Sequence, residues 1–178
     1  AIFAIATNQR AEMGALDAVK QSMQRGQSIV DAALAAGDVV VSALTAMKSL
    51  AVAIEAGGST ATVAALKADF GALQAEITSA LKGANFDGKN LWTSASSVIT
   101  DTKATTFKIG MTTVATTTSI GQTAAGVETV LKGFTANLAT LGTQSKSLER
   151  MTIFNGKMQD ALEVGIGNLV DADLAKES

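Results

Sequence analysis

Glu128-Thr-Val-Leu-Lys-Gly-Phe134 opens a stretch that runs to Val170 without a proline and carries Leu138, Leu141, Leu148, Met151, Phe154, Met158, Leu162 and Ile166. Apolar residues three or four apart form one stripe on a helix, and several turns of such spacing favour a helix–helix seam. At 1.5 Å per residue this helix would be roughly 60 Å long, against a diameter of about 40 Å for a compact sphere of the same chain. The stretch therefore predicts an elongated antiparallel α-helical bundle with coiled-coil-like packing, in which the earlier chain folds back along the last helix.

Composition agrees with that class. Of the 178 residues, 47% are hydrophobic but only 4% aromatic, so the core is one of Ala, Leu, Val, Ile and Met. Small residues let helix axes approach closely. A net charge of −2 gives no basic footprint for nucleic acid. No unbroken run of 18 apolar residues predicts a membrane span. Without Cys or His, thiol and imidazole chemistry and nearly all zinc sites are excluded, and no cofactor is expected.

Upstream, Ile2, Ile5, Met13, Leu16, Val19 and Met23 share a helical face, and Gln24-Arg25-Gly26-Gln27 reads as a break with Ser28 and Asp31 restarting the helix. Val40, Leu44, Met47, Ala51 and Ile54 continue to a stop at Gly57-Gly58. Ser59, Thr60 or Thr62 caps a further helix through Val63, Leu66, Phe70, Leu73, Ile77 and Ala80, ended by Gly83. Lys48, Glu55, Lys67, Asp69 and Glu76 read as a solvated face. Gly37 and Gly71 each cost about 1 kcal/mol inside helix unless a close approach requires them.

The order is thus helices over 1–83, a turn and hairpin region over 84–127 and the long helix over 128–178. Asn85 to Trp92 is rich in turn residues. Beyond it, Val98-Ile99 and the alternation of Phe107, Ile109 and Met111 predict one or two short β-hairpins at one end of the bundle. Their Ser/Thr richness suits strands and would also suit O-linked sugars. Asp160, Glu163, Asp171 and Asp173 cluster in sequence but read as an exposed helix face. Gly165-Ile-Gly167 lacks the strand-before, helix-after setting of a phosphate loop. With no histidine as base for a serine, the residues predict no enzyme.

Two stretches carry a family resemblance. Ala84-Asn-Phe86-Asp-Gly88-Lys-Asn90-Leu91 resembles the F-N/D-G-x-x-L turn that closes the N-terminal half of bacterial flagellins, and Ala161 to Ser178 resembles their C-terminal signature, most closely in its alphaproteobacterial form. The order of elements resembles the D1 core of a minimal flagellin, lacking the terminal D0 segments and the outer D2 and D3 domains. The resemblance implies an extracellular, secreted structural subunit of the flagellar filament that acts in motility by self-assembly. Its partners would be other flagellin subunits and, through parts outside this chain, a secretion chaperone and the export apparatus; the fragment alone is expected to be monomeric. A hook–filament junction protein is the alternative within the same class, and a polysaccharide-binding surface protein using Trp92 the alternative outside it. In enteric flagellins an Arg-rich stretch meets a Toll-like receptor. Here the main Arg position falls on Ala46, with Leu50 and Glu76 matching the rest of the receptor-facing pattern. An alanine cannot replace bidentate guanidinium bonding, so weak or no receptor activation is expected.

Overall fold

A computed structural model describes residues 1–177; the final position of the C-terminal signature, Ser178, lies outside the described residues. The chain folds into helix α1 (Ile2–Ala56), helix α2 (Thr60–Lys82), strands β1 (Ser96–Ile99) and β2 (Thr106–Ile109), which pair in a two-stranded sheet, and helix α3 (Ala124–Glu177). It is mainly α, as its periodicity predicts.

Two compact units are built from these elements. Unit 1 comprises Ala1–Gln27, Ser97–Lys108 and the chain from Ser145 on; unit 2 comprises Ser28–Ser96 and Ile109–Gln144. In unit 1, Asn155 Nδ2 donates to the Leu16 carbonyl and Gln27 Nε2 to Ser145 Oγ. Partners on α3 fall in number as those on α1 rise, so the two helices are antiparallel there. In unit 2, Lys48 pairs with Glu128, and Glu55 accepts from the Ala124 N–H.

The expected break at Gln24–Gln27 is absent, because α1 is one helix of 55 residues. Leu16, Met23, Val30, Gly37, Leu44 and Ala51 recur every seven residues and are all buried, as are Val19, Gly26, Ala33, Val40 and Met47 in the companion register. Gln24 and Arg25 are exposed, and Gly26 occupies a seam position. One glycine costs a helix about 1 kcal/mol, too little to stop one whose apolar register passes straight through. Ser28 is accordingly an interior residue and no cap.

α3 also keeps a strict seven-residue register: Val127, Phe134, Leu141, Leu148 and Asn155 are buried. That phase overturns part of the expected stripe. Phe154 is 66% exposed and Met158 39%, because seven residues beyond Leu148 lies Asn155. Ile5 is likewise outside the core and Ala6 within it. α3 begins at Ala124, before the expected Glu128: Thr123 Oγ1 accepts from the Gly126 N–H and caps it.

α1 stops where Gly57 and Gly58 take positive φ angles of 81° and 139°. Ser59 caps α2 by accepting from the Thr62 N–H, and Gly83 ends it. Phe70 and Ile77 are buried, and Lys67, Asp69 and Glu76 are exposed. The two interior glycines differ: a Cβ on Gly71 would meet open space, whereas one on Gly37 would clash with Leu138 Cδ2. α1 also contains an 18-residue window of mean hydropathy 1.7, enough by length and composition to cross a membrane, contrary to the expectation drawn from unbroken runs. Of that window, 44% is buried inside the fold.

Among the described residues the strands form one two-stranded hairpin. Val98 and Ile109 are buried and Phe107 half-buried, so the alternation holds. Beyond Gly110 no second hairpin forms among the described residues, and three side-chain amides hold the irregular chain of unit 2 in place of a neighbouring strand. Gln144 donates to and accepts from Gly110, Asn137 accepts from the Ala115 N–H and donates to the Thr113 carbonyl, and Gln74 donates to the Thr117 carbonyl. An amide side chain offers a donor and an acceptor side by side, as a strand does.

Candidate functional surface

The turn after α2 shows why its residues recur as a motif. Asp87 and Gly88 both take positive φ, 52° and 73°, and Phe86 and Lys89 exchange backbone hydrogen bonds across them. Such a turn suits Asp-Gly. On either side, Asn85 Nδ2 donates to the Lys82 carbonyl and Asn90 Nδ2 to the Leu81 carbonyl. These are the carbonyls a helix leaves without partners at its C-terminus. Asn90 Oδ1 also accepts from the Trp92 N–H, which aims Leu91 and Trp92 inward. The Trp92 indole N–H then donates to the Ala33 carbonyl at 3.1 Å, and its ring stacks on Phe134 with centroids 4.6 Å apart. Trp92 is therefore a buried wedge, an arrangement opposed to the sugar-stacking platform considered above, which needs an open ring face.

The receptor-facing residues expected by resemblance all lie in unit 2. Ala46 is exposed and Leu50 half-buried on α1; with Ser49, Asp69, Ala72 and Leu73 they line an open groove of about 660 Å³ between α1 and α2. Glu76 is exposed on α2 and lines an adjoining groove with Val39, Ala75 and Ser79, the two sharing Ala72. The two grooves are lined by alanine, serine, leucine and valine side chains with the carboxyls of Asp69 and Glu76.

Asp160, Glu163 and Asp171 are exposed along α3 and Asp173 is half-buried. Among the described residues no group of His, Cys, Asp or Glu is placed to hold a metal ion. Two carboxyls, Asp101 and Glu128, are perturbed among the described residues. Thr105, by side chain and backbone, and then the Lys103 N–H hold Asp101 below the usual carboxylate range and tie the β1–β2 loop. The Lys48 hydrogen bond and charge do the same for Glu128. Both are structural ties on exposed groups.

The family described as bacterial flagellin N-terminal helical region matches residues 1–97. Flagellin FljM of Caulobacter vibrioides is 42% identical across the whole of this chain and 71% of its own length, and Flagellin FljN of the same organism is 45% identical over the same shares. The chain belongs to the bacterial flagellin family. Flagellins are structural proteins, subunits of the flagellar filament, an extracellular appendage, and this flagellin is such a subunit. A solved flagellin of Bacillus cereus shares its fold at a TM-score of 0.50 and 18% identity, over 84% of this chain and 88% of that one.

The turn motif was legible in the sequence, whereas Gln74, Asn137, Gln144 and Asn155 were not. Each is a lone amide whose partner lies far along the chain. The only local sign was the phase of the heptads, which puts Asn155 in a seam.

Proposed function

We propose that this flagellin acts by burying faces of its two units against neighbouring copies in the filament, with no catalytic activity and no cofactor. The observation that carries the reading is the 42% identity to a flagellin over the chain's entire length. Antibodies raised against the 178-residue chain should label filaments on the cells that express it, along their length. Filaments that stay unlabelled while the antigen is found inside the cell would overturn the reading.

Finer parts of the proposal rest on separate supports. The chain is exported unfolded, with a chaperone and the export apparatus as partners; lacking cysteine, it has no disulfide to undo before threading. By itself the 178-residue chain is a monomer, since association has to offset several kcal/mol of lost rigid-body freedom. Sedimentation showing a stable oligomer, or filaments seen by electron microscopy, would refute this. Toll-like receptor activation is weak or nil, because the exposed Ala46 offers no guanidinium. A reporter-cell response equal to that of an enteric flagellin would contradict it, and Ala46→Arg should raise the response.

A further inference from the structure

The two units bury hydrocarbon to different extents. Among the described residues, the large side chains wholly shut from solvent sit mostly in unit 2, where Phe134, Leu44, Met47, Ile77 and Leu141 are examples; unit 1 supplies Met23 and Leu148. Large exposed apolar side chains are distributed the opposite way. Unit 1 shows Phe3, Ile5, Ile153, Phe154, Met158 and Val164 among others to solvent, and unit 2 shows Val39, Val52 and Phe86.

Among the described residues both units enclose polar side chains, Asn155 and Ser22 in unit 1 and Asn137 and Thr117 in unit 2, but unit 1 sets them against less fully buried hydrocarbon. Asn155, 3% exposed, lies in the heptad seam of α3 and bonds the Leu16 carbonyl at 3.1 Å. That carbonyl lies within α1, where the N–H four residues on already bonds it, so the Asn155 contact adds little to it. Ser22 accepts from the Ile99 N–H, Gln27 donates to Ser145, and the buried Oε1 of Gln9 has no hydrogen-bond partner. Desolvating an amide without full compensation opposes closure.

We propose that unit 1 opens as a separate cooperative element while unit 2 stays folded, and that the polar seam at Asn155 sets how readily it does so. In the open form α1 up to Gln27 and α3 from Ser145 on part from one another, and the β1–β2 hairpin loses its tie to Ser22. The element is set by the distribution of apolar burial, since local opening follows where few such contacts hold a segment.

Hydrogen exchange read by mass spectrometry on the full 178-residue chain, under native conditions, tests this. Amides of residues 6–22 and 149–170 should exchange at least ~100-fold faster than those of 33–51 and 131–141. Asn155→Leu should slow exchange in unit 1 by ~10-fold and leave unit 2 unchanged, because hydrocarbon replaces a desolvated amide at similar volume. Gln9→Leu, which removes the unpartnered oxygen, should act in the same direction and stands in should Asn155→Leu not fold. One common rate for both units, with one denaturant dependence, would overturn separate opening. Faster exchange of unit 1 in the leucine variants would overturn the role of the seam.

Discussion

Gln144 grips Gly110 with both ends of its amide: Oε1 accepts from the glycine N–H and Nε2 donates to the glycine carbonyl, each at 2.8 Å. The grip sits where the hairpin leaves its sheet. Gly110 has a φ of +122°, and a Cβ there would lie 2.9 Å from the backbone of Ala95. Gln144→Glu keeps one bond and turns the other into an oxygen facing an oxygen, which should cost about 1–3 kcal/mol. Gly110→Ala should cost ~1–3 kcal/mol through strain alone. Urea denaturation of each variant checks both, and a loss below 0.5 kcal/mol in each, a fraction of either expected cost, would mean the grip is incidental.

Trp92 fills the wedge between α1 and α3 in unit 2. Trp92→Ala should destabilise the chain by about 3–5 kcal/mol, as large truncations in a packed core do. Trp92→Phe, which loses the Ala33 bond but keeps a ring on Phe134, should cost about 1 kcal/mol. As the chain's one tryptophan, it should also emit at short wavelength and resist soluble quenchers until the protein unfolds.

Gly71 and Gly37 offer a matched pair. Gly71→Ala meets open space in α2 and should stabilise by about 0.5–1 kcal/mol, the helical preference of alanine. Gly37→Ala has the same propensity to gain but displaces Leu138 Cδ2. An off-rotamer side chain costs roughly 0.5–1.5 kcal/mol, so no stabilisation should appear. Gly37→Leu should be plainly destabilising. Thermal melts of the three rank them.

Lys48 holds the Glu128 carboxyl below its ordinary range. A group with a depressed folded pKa stabilises the fold above its unfolded value, and that contribution fades as pH falls through the folded value. Acid should therefore release the pair, and the effect should be small because both side chains are exposed. In Lys48→Met, the Glu128 titration followed by NMR should move up toward the free value. An unmoved midpoint would rule out the lysine as the cause.

Much of the architecture was legible in the residues. Apolar spacing, the absence of proline and the Gly57-Gly58 stop determine long helices and the end of α1, because helical periodicity and termination are local properties of the chain, although the residues read as four helical segments where the fold has three. The Phe86 to Leu91 turn and the Ala161 signature carry the family.

Tertiary structure alone decided the rest. Whether Gly26 breaks α1 depends on what covers it, and Phe154 yields the interior to Asn155 only because α3 must keep a seven-residue phase against a partner. The grips of Gln74, Asn137 and Gln144 join residues 22 to 46 positions apart, and no local propensity records such a pairing. Periodicity states which face of a helix is apolar; only packing states how deep each position on that face lies.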